Sequence, residues 1–288
     1  MRNHKEKNYS MRKSLLLFGI LITISLQAKK YDITNLTNND GLSNSSINTI
    51  HQDANGLMWF GSWDGLNIYN GREFSIYKPE PGNVQSISNN IIRDIVEESK
   101  NVHWVATDRG INCVDMRRKS FERFFVDGEY QTLSDEHSFL IAKNSSNIIF
   151  AGVNEKGLFF FDKNTHRFKR LTAVKNYQLR KIFFDQDDNL WLYTDDRTLL
   201  KVVFKKGKSP EPQIGNVVEF KHLINIESVF YSPTNELWMQ SGGGLFSYKI
   251  SEGILNAFQP GYNTGLIKAA LFVDDYQLWG TSNGLFRF

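Results

Sequence analysis

Six polar side chains recur at one place in a repeat: Asn48, Arg93, Ser138, Arg180, Glu227 and Lys268 stand eleven residues before Trp59, Trp104, Ile149, Trp191, Trp238 and Trp279 in turn. Each has an apolar residue on at least one side, so strands that bury those neighbours should hold these six at a common level. Donors and acceptors converging at one level suit a ligand rich in hydroxyl groups, and no single group is marked out to transfer a proton. The loops expected at the same level carry Trp63, Asp64, Asp108, Arg109, Asp195, Asp196 and Arg197. Trp63 alone among the tryptophans lies outside the repeat phase. An indole on a loop adds little to a core, whereas a flat apolar face beside polar donors matches the C–H face of a sugar ring.

Covalent and metal chemistry find less support. The six histidines, His4, His51, His103, His137, His166 and His222, include no pair at a zinc-motif spacing, and there is no phosphate-binding glycine loop or nucleophile elbow. The run from Asp185 to Asn189 begins like a calcium loop, but Leu190 stands where the sharp turn needs glycine, and the run is in phase with the hairpin turns of the other repeats. An ordinary turn is expected there, and no metal or cofactor anywhere. Cys113, the one cysteine, sits between Ile111 and Val114 and is read as a small buried hydrophobe with no disulfide to make.

The elements that must position these residues follow from the period. The repeat positions are 45, 45, 42, 47 and 41 residues apart, with strand-like content and no helical pattern, which is the spacing of β-propeller blades. The expected fold is all-β: a propeller of six four-stranded blades at about 42–81, 82–127, 128–172, 173–223, 224–260 and 261–288, or a shortened seven-bladed ring. Ile50, Ile95, Leu140, Ile182, Val229 and Ala270, nine before each repeat position, mark the inner strands. Apolar pairs three apart mark the outer strands: Phe74 and Tyr77, Phe121 and Phe124, Phe168 and Leu171, Phe220 and Leu223, Leu255 and Phe258. Ile33 and Leu36 share that spacing, so Tyr31 to Leu36 is expected to supply the outer strand of blade six and close the ring. Lys205 to Gly215 reads as an inserted loop in blade four.

The repeat occupies residues 29–288 as one domain. Residues 1–28 read as a secretory signal peptide, with a basic start, an uncharged apolar run from Leu15 to Leu26 and a short polar end. They carry five Lys or Arg and one Glu, which leaves 29 positive and 30 negative side chains, a net charge of −1. No basic field for nucleic acid remains, and the expected location is the periplasm.

The runs Asp40-Gly41-Leu42-Ser43-Asn44, Ile47-Asn48-Thr49-Ile50, Met58-Trp59-Phe60-Gly61, Asp64-Gly65-Leu66-Asn67 and Tyr69-Asn70-Gly71 resemble the opening blade of two-component regulator propellers, and blade two repeats them through Ser88-Asn89-Asn90, Trp104 and Gly110. The resemblance implies the periplasmic sensor region of a hybrid two-component system that detects glycan breakdown products, with membrane, kinase and DNA-binding parts that this chain lacks. A non-enzymatic input domain is therefore expected. Its partner would be an oligosaccharide or other small periplasmic ligand, with a homodimer allowed. The alternatives are a secreted propeller hydrolase or lyase acting on glycans and a structural protein-interaction propeller.

Overall fold

The computed structural model describes residues 36–287 apart from 127–138, 173, 175–176, 208–210, 262, 264 and 274–275. The expected signal peptide lies outside the described residues, as do Ser138, His137 and all of the expected closing strand except Leu36, which is in no strand.

Runs of β-branched and aromatic residues broken by Asn, Asp and Gly turns fold into antiparallel strands of four to eight residues. They form six sheets in chain order, each strand paired with its successor. Five sheets have four strands, and the sixth has three among the described residues. The molecule is a β-propeller. The inner strands are Ile47–Gln52, Ile92–Ser99, Phe139–Lys143, Leu179–Phe184, Ile226–Ser232 and Ile267–Val273. The second strands are Met58–Ser62, Val102–Thr107, Ile149–Val153, Leu190–Thr194, Glu236–Ser241 and Tyr276–Thr281.

Because side chains alternate across a strand, each blade turns one face to the blade before it and one to the blade after. Five apolar clusters fill the spaces between consecutive blades. Trp59 of blade one packs with Ile92, Ile95 and Val105 of blade two, and Trp104 packs with Ile141, Ile149 and Phe159 of blade three. Phe150 meets Leu179 and Ile182 of blade four, Trp191 meets Ile226 and Val229, and Trp238 meets Ile267 and Trp279. Among the described residues no such cluster joins blade six to blade one. Ile50 on the free face of blade one is 59% exposed, and Leu271 and Leu285 on the free face of blade six are 57% and 66% exposed.

Two repeat positions differ from the sequence reading. In blade three the residue facing onward is Phe150, which pairs with Ala142, while Ile149 faces back to Trp104. In blade six Trp279 faces back to Trp238, and Leu278, paired with Leu271, takes the onward position. The outer strand of blade four is Ile214–Glu219, so it takes up the end of the expected loop and stops before Phe220 and Leu223. Phe220 is nevertheless buried against Trp191 and Tyr248, so the apolar pair packs as a core without belonging to the ladder.

The calcium-like run is a turn. Asp185 accepts the backbone N–H groups of Asp187 and Asn189 and the indole N–H of Trp191, at 3.0, 2.9 and 2.9 Å. Asp53 does the same in blade one for Asn55, Leu57 and Trp59, at 2.8, 2.9 and 3.0 Å. One carboxylate thus ties hairpin turn to core tryptophan.

Candidate functional site

Five of the inner strands skip one residue near their start in pairing with their second strand. The residues skipped there are Asn48, Arg93, Arg180, Glu227 and Lys268, and the strand of blade two skips Glu98 near its end as well. A bulge leaves its extra residue out of the ladder and re-aims the side chain, which is how a polar group persists beside a buried apolar residue. Blade three pairs residue for residue over its described strand.

In blades one, two and six the turn between second and third strands is built by one hydroxyl. Ser62, Thr107 and Thr281 donate to the carbonyls of Gly65, Gly110 and Gly284 at 2.9, 2.9 and 3.1 Å. The same hydroxyls accept the N–H groups of Asp64, Arg109 and Asn283. Glycine is required at the turn exit: Gly65 and Gly110 have φ of +122° and +100°, and a Cβ on either would lie 2.9 Å from a carbonyl oxygen of the outer strand's end. The turns are then pinned to the start of the inner strands, with Trp63, Asp108 and Asp195 donating backbone N–H to Ser46, Ile91 and Gln178 at 3.2, 3.2 and 2.8 Å.

This geometry brings each bulge residue beside the loop residue fifteen positions later. Arg93 grips Asp108 with two parallel hydrogen bonds of 2.5 and 2.7 Å. Arg180 repeats the bridge to Asp195 at 2.5 Å, and that carboxylate raises the arginine above its ordinary range. Blade one has Asn48 and Trp63 in those places. Asn48 donates instead to the Ile92 carbonyl at 2.8 Å, leaving Trp63 49% exposed. The neighbouring Arg93 guanidinium sits 5.5 Å from the Trp63 ring centroid.

The other expected site residues fall around these pairs. Asp64 accepts the Lys78 ammonium at 2.6 Å, which holds its carboxyl below the usual range. Arg109 is half-buried beside Asp108. Asp196 is exposed, and its carboxyl is held low first by the Thr194 hydroxyl. Arg180, Arg197 and Glu227 are brought together with Gln240, Phe258 and Asn263 around a depression of about 870 Å³, a size suited to a small-molecule ligand. Lys268 is exposed on blade six and is not among the residues lining it. Gln240 escaped the sequence reading. It accepts the Ile267 N–H at 2.9 Å and donates to Gly265 at 2.8 Å, fixing the entry to blade six. Asn67 and Asn112 hold the entries to blades one and two in the same manner, accepting the N–H groups of Ser43 and Ser88 at 2.8 Å each. The signal was a polar residue inside an apolar strand.

Comparison with known proteins finds a family resemblance at the opening of blade one. Residues 41–64 match the family model of the two-component regulator propeller. Over 76 residues the chain is 41% identical to Histidine kinase P4 of Formosa agariphila, a match spanning 26% of this chain and 6% of that protein. It is similar in structure to the extracellular domain of a hybrid two-component system of B. thetaiotaomicron, with a TM-score of 0.70 and 21% identity over 90% of this chain and 36% of the other. A virginiamycin B lyase of Staphylococcus aureus also matches, with a TM-score of 0.61 and 13% identity over 91% of this chain and 85% of that one. At these identities the structural likenesses show a shared fold. The chain spans about a third of the sensor domain it matches and a small part of the kinase.

Proposed function

We propose that this propeller is the periplasmic, ligand-sensing input region of a hybrid two-component system, and that its ligand is an oligosaccharide released by glycan breakdown. The observation that carries the reading is the exposed Trp63 indole beside the Arg93–Asp108 pair, at the end of the inner strands where the other bulge residues also stand. A sugar ring laid on the indole would place its equatorial hydroxyls against guanidinium and carboxylate groups whose positions are already fixed, so little ordering entropy opposes binding. The depression lined by Arg180, Arg197 and Glu227 offers further donors and an acceptor for a longer chain. The similarity to extracellular domains of two-component systems supports a sensory role.

Incubating the purified chain with a panel of oligosaccharides, and measuring both heat of binding and released products, tests the reading. Saturable binding with the sugar recovered intact is expected. Release of shortened or unsaturated sugars would instead make the domain an enzyme, and binding to no glycan would remove the oligosaccharide from the proposal.

A further inference from the structure

At the end of the inner strands away from the polar mouth, blades one and two meet through two cross-strand pairs. His51 pairs with Trp59 on the face that blade one turns forward, and Glu97 pairs with His103 on the face that blade two turns back. Cross-strand partners share a face, so four side chains converge in one gap. The His103 ring stacks on the Trp59 indole with centroids 4.0 Å apart. His51 Nε2 lies 3.7 Å from a Glu97 carboxylate oxygen, and the two imidazoles meet edge to face at 5.8 Å. One ligand atom from each of His51, Glu97 and His103 lies within 4.8 Å of the other two.

Two independent observations point to a ligand. His51 Nε2 and both ring nitrogens of His103 are buried without a hydrogen-bond partner, and the His103 side chain is 0% exposed. Buried polar atoms are almost always satisfied, because leaving them bare forfeits their hydration. The repeat itself supplies the second. The positions equivalent to His51, Glu97 and His103 at the next interfaces hold Val96, Lys143 and Ile149, then Ala142, Phe184 and Leu190, then Phe183, Tyr231 and Leu237, then Phe230, Phe272 and Gln277. None is an imidazole, a carboxylate or a thiol. Packing alone therefore does not call for ligand-type residues in this gap.

We propose that His51, Glu97 and His103 bind a zinc ion that ties blade one to blade two. Two imidazoles and a carboxylate are a zinc donor set that leaves a fourth position open. Their atoms need to close by about an ångström to reach tetrahedral contacts near 2.0–2.2 Å, and His51 and Glu97 are both half-buried, with room to turn. Glu97 is already aimed by the Ala54 N–H at 3.1 Å. Asp53, 3.9 Å from His103, is occupied by its own turn and by Trp59. Spacing in the sequence concealed the set because its members come from three strands of two blades.

The test uses the tag-free chain stripped with EDTA, returned to chelator-free buffer and titrated with Zn²⁺. Expected are one zinc per chain by elemental analysis, a dissociation constant tighter than about 10 µM, and a melting temperature raised by several degrees at saturation. His51→Ala and Glu97→Gln, both at partly exposed positions, should lose the bound metal and the thermal shift. His166→Ala, which removes the surface pair with Glu122, should lose neither. X-ray absorption of the zinc form should show two imidazoles. The proposal is overturned if the wild-type chain retains no zinc, or if His51→Ala and Glu97→Gln bind zinc and gain stability as the wild type does.

Discussion

Arg93 and Asp108 join the inner strand of blade two to its loop by a bidentate ion pair, Nε to Oδ1 at 2.5 Å and Nη2 to Oδ2 at 2.7 Å, with side chains only 28% and 11% exposed. The same guanidinium faces Trp63 of blade one. One arginine therefore joins the charged and the aromatic parts of the mouth, and Arg180 with Asp195 repeats the bridge.

Trp63→Ala should leave the melting temperature within a degree or two, since the indole is half exposed, while weakening an oligosaccharide ligand by roughly 1–3 kcal/mol as a binding hot spot does. Arg93→Ala should produce a similar loss of affinity. Calorimetric titration of both variants checks this. If Trp63→Ala lowers the melting temperature as far as Trp59→Ala does and binding is unchanged, the indole is a packing residue.

Much of the fold was legible because a propeller repeats its own test. Tryptophan spacing, outer-strand pairs and hairpin turns each recur, and the strands of blades one, two and five fall where they were expected. In blade three the adjacent apolar residues Ile149 and Phe150 fit the period equally well, and the hairpin decides between them: the Asn144 N–H donates to the Ile148 carbonyl as Asp53 does to Leu57, which puts Phe150 in the place of Trp59. The polar register of the mouth was visible as a pattern. Its pairing with residues fifteen positions on is set by the hairpin and bulge geometry, and 93 with 108 and 180 with 195 both carry Arg and Asp. The gap holding His51, Glu97 and His103 was invisible for a different reason: which faces of two blades meet is decided by packing, not by spacing.

Asp185→Ala should cost about 2–3 kcal/mol in urea unfolding, because it removes a buried carboxylate that accepts two turn N–H groups and the Trp191 indole. Calcium should not change that stability in the wild-type chain. A calcium-dependent rise in the unfolding midpoint, lost in Asp185→Ala, would show that the run is a metal loop after all.

Cys113 should be inert in the folded chain. Burial first, then the carboxylates of Glu98, Glu122 and Asp115, push its thiol up to about 12, so at pH 8 only about one thiol in 10⁴ is ionised. Iodoacetamide should label the native chain orders of magnitude more slowly than the chain in urea. Equal rates in the two states would place the thiol in an activating environment.

Asp94 gives the propeller a titration of opposite sign to that of a salt-bridged surface carboxylate. It stands on the inner strand of blade two. Burial pushes its carboxyl up to about 6 from an ordinary 3.8, against the opposing pulls of the Ile95 N–H, the Lys181 ammonium and the Ile141 N–H. Between about pH 4 and pH 6 the folded chain therefore holds a proton that the unfolded chain has released. The contribution of this group to stability is full below pH 4 and is lost as pH rises through 6. Asp94→Asn keeps the shape and removes the titration. The stability of the variant relative to the wild type should accordingly grow as pH rises from 4 to 7, then level off. Urea midpoints of both chains at pH 4, 5, 6 and 7 read this directly, and a difference that stays constant across that range, or shrinks, would mean that Asp94 ionises in the folded chain as readily as in water.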